Sequence, residues 1–164
     1  TGGNIVFGTA SKGVYLGVTS ATAANLLADY EEGTWTPGIT VGGSAADVAY
    51  ATQLGLYVKV GKLVHASFHL VMTNNGSATG NLGMTGLPFT VSNTSNAAYG
   101  SSLVTNSRAN FSADHYPGGY AAKNGTRIEI VNLDPDATGS SAISQADWAD
   151  NVDIYGSITY RSES

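Results

Sequence analysis

Three acids stand within four residues, Asp29, Glu31 and Glu32, in the stretch "DYEEGTWTPGI" (29–39). Paired carboxylates are the working parts of a glycosidase, one protonating the leaving oxygen and the other attacking or activating water. That chemistry needs a cleft. These acids precede the first strand of the β pattern, at a neck where no cleft has yet been built, so they are expected to cap turns or bind an adjacent chain's backbone. His65 and His69 form an H-x-x-x-H pattern that on a helix would suggest a metal. On a strand they lie roughly 13 Å apart, at about 3.3 Å per residue, too far to share one ion within a subunit. "DPDATG" (134–139) spaces Asp134, Asp136 and Thr138 like the opening of a calcium loop, but the twelfth position is Gln145 and not the bidentate Glu such a loop needs. No G-x-S-x-G elbow accompanies the Ser, His and Asp residues, and no phosphate loop is present. No catalytic residue and no cofactor is expected.

"SADHYPGGYAAKNG" (112–125) gathers His115, Tyr116, Tyr120, Lys123 and Asn124. Aromatic faces stack on sugar rings, and neighbouring amides and charges bond hydroxyls, so this composition suits a saccharide surface. Loops held by rigid sheets are where such contacts concentrate.

The 164 residues suit one domain with a short extension. Only 12% are charged, against about 25% in an average globular protein, while 42% are hydrophobic and 21 are glycine. Disorder goes with the opposite balance, so many short strands joined by tight turns are expected. A net charge of −5 argues against nucleic acid, which calls for a basic face. No apolar run is long enough to insert in a membrane, and no signal peptide is visible. A start at Thr1 suggests a fragment or processed form of a longer chain. Without cysteine, stability must come from packing, within a subunit or between subunits.

Residues 1–28 read as a stalk or neck. "NIVFGT" (4–9) and "GVYLGV" (13–18) align at a period of nine, placing Ile5 with Val14 and Phe7 with Leu16. Two such ribbons cannot bury their apolar residues alone and are expected to wind against other subunits. Thr22 is placed to cap a short helix carrying Ala23, Leu26, Leu27 and Tyr30 as one stripe. From residue 29 to 164 the pattern is β. Strands are expected in "TWTPGITVG" (34–42), with Pro37 at an edge or bend, and in "GNLGMTGLPFTV" (80–91), "NAAYGSSLV" (96–104) and "NVDIYGSITYR" (151–161).

Two hairpins say which side chains face where. Around Asn124-Gly125, read as a type I′ turn, Ala121 pairs with Ile128 and Tyr120 with Glu129. Ile128 and Ile130 then point to the core, and Arg127, Glu129 and Tyr120 point outward. A two-residue loop at Gly61-Lys62 puts Leu54, Leu56, Val58, Val60, Leu63, His65, Ser67 and His69 on one face, and Tyr57, Lys59, Val64, Ala66, Phe68, Leu70 and Met72 on the other. A sandwich buries one face of each sheet, so the second apolar face is expected to meet another subunit. Some eight to ten strands at this spacing predict an antiparallel β-sandwich of jelly-roll type.

"LLADYEEGTWTP", "YATQLGLYVKVGKLVHASFHLVMTNNGSATGNLGMTGLPF" and a closing "ADWAD…VDIYGSITYR" together resemble a C-terminal module of tailed-bacteriophage tail fibres, tailspikes and related virion proteins. Ala28 and Val60 are mild departures from its pattern, and residues 94–125 match none of it. The resemblance implies a homotrimer on the virion surface, assembled in the bacterial cytoplasm as part of a fibre or capsid. It also implies a tip that contacts host cell-surface polysaccharide. The expected function is therefore adhesion without catalysis. A capsid-decorating or head-fibre trimer and a fragment of a polysaccharide depolymerase are the competing readings. Ile5, Phe7, Val14, Leu16, Leu26, Leu27, Leu56, Val58, His65 and His69 are the candidate trimer contacts.

Overall fold

The structure is a computed structural model that describes residues 8–9, 12–27, 29–45, 47–99, 103–107, 117–133, 141–147 and 151–163. These residues form twelve strands and three short 3-10 turns, with no α-helix among them. The larger sheet holds β3 (Tyr30–Trp35), β5 (Val48–Val60), β6 (Leu63–Asn75), β12 (Asp153–Arg161) and β8 (Leu103–Ser107), paired in that order and antiparallel throughout. In the smaller sheet, β10 (Arg127–Asn132) pairs with β9 (Pro117–Ala121) and with β7 (Leu82–Thr85). There β4 (Gly38–Val41) extends β7, and β11 (Ser141–Ala142) joins the end of β10. A separate ribbon pairs β1 (Val14–Tyr15) with β2 (Leu26–Leu27).

The two five-stranded sheets share one core. Val64, Ala66, Phe68, Leu70, Met72, Ile154 and Ile158 come from the larger sheet, and Ile39, Val41, Leu82, Met84, Ile128 and Ile130 from the smaller. Alternation along each strand makes this division, because successive side chains leave a strand on opposite faces. The register around Gly61-Lys62 is the expected one, with Val60 opposite Leu63, and so is that of Ala121 with Ile128 and Tyr120 with Glu129.

Glycines seat two large aromatics where β3 pairs with the long hairpin. Trp35 lies over Gly55 and Tyr57 over Gly33, positions where a methyl group would collide with the ring. The Trp35 indole N–H donates to the Ser67 carbonyl at 3.0 Å, and Phe68 meets the same ring edge-on. Tyr50 ties the sheets together, its hydroxyl accepting the Ile39 N–H at 2.6 Å.

Several sequence expectations need correction. "TWTPGITVG" is two strands, not one: the chain leaves the larger sheet after Trp35 and enters the smaller at Gly38. Pro37, with no N–H and a fixed φ, sits at the crossing, where neither ladder needs a donor. The predicted helix at Thr22–Tyr30 is a 3-10 turn at Ala23–Asn25 with no side-chain cap, followed by strand. A stripe of four apolar residues is too short to sustain a helix, and β1 offers Leu26 and Leu27 ladder partners instead. Glu31 and Glu32 lie on the first strand of the larger sheet and not before it. The strand predicted over 80–91 ends at Thr85, because Gly86 turns the chain at φ +92°. The strand predicted over 96–104 opens as a 3-10 turn at Asn96–Tyr99 and reaches strand only at Leu103. The Asn124-Gly125 turn has a positive φ at Asn124 alone, so it is not type I′. Its backbone is spent on the neighbouring segment, with Asn124 N–H donating to Val91 and Val91 N–H donating to Gly125.

Tyr160 reports on this core. Its hydroxyl donates to the Phe89 carbonyl at 3.1 Å and accepts the Phe89 N–H at 3.2 Å. Burial pushes its pKa up to about 12 from an ordinary value of 10.0, while the bond to Phe89 acts the other way. The folded state thus holds the phenol proton more tightly than the unfolded chain does. Its contribution to stability is complete below pH 10 and is lost as pH rises towards 12. Tyr160→Phe is expected to cost about 1 kcal/mol at neutral pH, from the lost hydrogen bonds. It should also flatten the alkaline loss of stability seen by urea unfolding between pH 10 and 12. Tyr50, raised mainly by burial, keeps its own share of that loss.

Candidate functional site

Of the three acids of the opening stretch, Asp29 stands just before β3, and Glu31 and Glu32 lie on its two faces. Asp29 holds the ammonium of Lys59, which is 3% exposed and sits 5.0 Å from the centre of the Phe89 ring. The Asp29 carbonyl also accepts the Gly61 N–H at 2.7 Å. Glu31 accepts the Tyr57 hydroxyl at 2.5 Å, and that bond raises the Tyr57 pKa. Glu32 faces the other way and accepts the Tyr30 hydroxyl at 3.0 Å. Each carboxylate has its own donor, and together they brace the edge of the larger sheet.

The outward face of that sheet is apolar over a wide area. Leu54 and Leu56 are each 62% exposed, and Val58, Val60, Leu63, Tyr30 and Tyr155 are exposed around them. On the inward face of the same hairpin Lys59, Val64, Ala66, Leu70 and Met72 are buried, as the alternation predicted. Shallow depressions of about 400 and 430 Å³ flank Leu56, one lined by Thr34, Trp35 and Gln53, the other by Glu32, Tyr57 and Val58. Large exposed apolar faces of this kind mark contact surfaces.

Both histidines stand on this face and are engaged separately. His65 Nδ1 lies 2.9 Å from the Thr159 hydroxyl. His69 Nε2 lies 3.0 Å from Asp153, and its ring stacks on Tyr155 at 4.2 Å. Among the described residues no three His, Asp or Glu side chains converge on a metal position. Asp134, Asp136 and Thr138 lie outside the described residues, as do Ile5 and Phe7. Val14 and Leu16 are exposed on and beside the small ribbon with Leu27, and Leu26 is half-buried.

The saccharide candidates separate along their hairpin. His115 and Tyr116 lie outside the described residues. Tyr120 is half-buried on β9, opposite Glu129. Lys123 donates to the Asn96 side chain at 2.9 Å, and Asn124 is exposed at a tip whose backbone is pinned to Val91. Sequence reasoning singled out the loop but passed over Arg127 and Glu129 as functional groups, although it placed them on the same outward face as Tyr120.

The fold and its surfaces define an all-β domain of two facing antiparallel sheets with one sheet presenting an apolar exterior. Its likeness among solved structures is to the Dettilon tailspike protein, with a TM-score of 0.62 and 13% identity. The match covers 81% of this chain and 24% of that one, so the domain corresponds in extent to about a quarter of the tailspike. At that identity the likeness is one of fold. No family model and no curated protein matches the chain. The fold thus has a counterpart in part of a tailspike, and no family model matches the fibre-module motifs read in the sequence. No helix of the described residues is long and apolar enough to cross a membrane.

Proposed function

We propose that this domain is a surface component of a bacteriophage particle, a jelly-roll-type sandwich that assembles as a homotrimer and adheres to host surface glycans without catalysis. The observation that carries the proposal is the exposed row Leu54, Leu56, Val58, Val60 and Leu63, on a fold shared with part of a tailspike. A free subunit leaves that row in water, and burial against copies of itself removes the cost. Residues 1–28, with the exposed Val14, Leu16 and Leu27, extend the same association as a neck. Three copies present three identical binding surfaces, so weak saccharide contacts combine through effective concentration into firm attachment.

Fluorescently labelled protein is applied to host bacteria and to undecorated capsids. Adhesion predicts retention on cells, competed by the extracted surface polysaccharide. Retention on capsids instead would assign the trimer to capsid decoration, and release of reducing sugar from the polysaccharide would show a depolymerase.

A further inference from the structure

The smaller sheet has an outward face that the core leaves unused. Tyr120 and Glu129 stand opposite each other on it, and Gly83 faces Glu129 from the other flank. Arg127 reaches across this glycine. A methyl group built on Gly83 would lie 2.5 Å from Arg127 Nε and 2.6 Å from Nη2. Arg127 Nε is 3.1 Å from Glu129 Oε1, and both side chains are 29% exposed. Nε is sealed from solvent and makes no aligned hydrogen bond, and among the described residues Nη1 and Nη2 have no hydrogen-bond partner. The neighbouring threonines do not compete for them, since Thr40 donates to the Gly83 carbonyl and Thr85 to the Gly38 carbonyl. Leu133, 55% exposed, leans over Gly118 next to Tyr120's end of the face.

We infer that this face binds a neutral pyranose through two adjacent hydroxyls. Arg127 offers an uncommitted pair of donors in a fixed planar fork, and Glu129 beside it offers acceptor lone pairs. A sugar hydroxyl is both acceptor and donor, so two neighbouring hydroxyls complete both sets at once. The Tyr120 ring and Leu133 supply the cover for the apolar C–H face of the sugar. Charge decides the class: Glu129 already neutralises Arg127, which leaves no net attraction for an anionic sugar. The missing side chains at Gly83 and Gly118 let the guanidinium and Leu133 lie close against the sheet, where a methyl group would displace them. This inference rests on the adhesion proposed above and names its site, shifting it from the pinned hairpin tip to the sheet face.

The test uses the full chain on a printed panel of neutral and acidic oligosaccharides, and on intact bacteria of several strains. Gly83→Ala keeps every polar group but displaces the guanidinium, at a residue whose φ is ordinary for any side chain. Glu129→Gln keeps the shape and removes the charge. Wild-type binding to neutral glycans, weakened about ten-fold or more by each substitution, supports the site, since one charge-assisted hydrogen bond is worth about that factor. Unchanged melting temperature and sedimentation certify each variant as folded. Should wild type hold to bacteria while both variants hold equally well, the site is wrong and the adhesive reading survives. Binding confined to acidic glycans overturns the neutral-sugar assignment. A wild type that binds neither glycan nor cell removes the site and the adhesive reading together.

Discussion

Leu54→Glu combined with Leu56→Glu is expected to turn a trimer into a folded monomer at micromolar concentration, read by sedimentation velocity. Both leucines are 62% exposed in the free subunit, so the substitutions remove little that the single chain has buried. Surface changes of this kind move stability by about 0.5 kcal/mol or less, with a small further loss because Glu is a poor strand former. In the assembled trimer the same positions would bring six carboxylates into an apolar interface. Each would lose its hydration without gaining a partner, a penalty of several kcal/mol per ion. Far-ultraviolet circular dichroism should stay as in wild type. A double variant that still sediments with wild type as a trimer would move the interface elsewhere. A monomeric wild type would end the trimer proposal.

Gly86→Ala is expected to cost about 3 kcal/mol or more, a fall in melting temperature of roughly 6–12 °C for a chain of this length. Two effects add at this position. Its φ of +92° lies where L side chains rarely go, and a methyl group there would be driven into the Thr36 carbonyl oxygen. The obstacle is backbone, and it belongs to the Thr36–Pro37 crossing between the sheets, so neither partner yields without disturbing both layers. Gly61→Ala is the control. Gly61 also has a positive φ, +58°, but a methyl group there meets nothing within 4 Å. Its cost should stay near 1 kcal/mol, the strain of a left-handed residue alone. Equal losses at the two positions would mean that the crossing adds nothing.

What was readable from the chain is what alternation and turn chemistry carry. The inner and outer lists for the Gly61-Lys62 hairpin needed only a period of two and a loop length, and the buried and exposed residues follow them. The outward placement of Arg127, Glu129 and Tyr120 came from the same logic. Non-local features were not readable. Nothing local to Trp35 and Ile39 says that they belong to different sheets, because an apolar residue faces inward equally well in either. Leu26 and Leu27 fit a helical stripe until β1 is known to lie beside them. The tip at Asn124-Gly125 carries a hairpin signal, but its conformation is decided by Val91, distant in sequence. The saccharide face escaped notice for a related reason: Gly83 and Arg127 come from strands far apart in the chain, and each alone looks structural.

The reciprocal seating of Trp35 on Gly55 and Tyr57 on Gly33 has a mechanical consequence. A load entering along β3 from Asp29 acts in line with the strand, so the six residue pairs joining it to β5 resist together instead of parting one by one. Slippage would also drag the indole off the one glycine on the inner face of β5 and onto a neighbouring side chain, while Tyr57 would have to climb out of its seat over Gly33. The paired notches act as a ratchet against shear. Pulled from that end in a single-molecule experiment, the domain should yield at markedly higher force than its Gly55→Ala variant, whose indole has already been lifted from its notch.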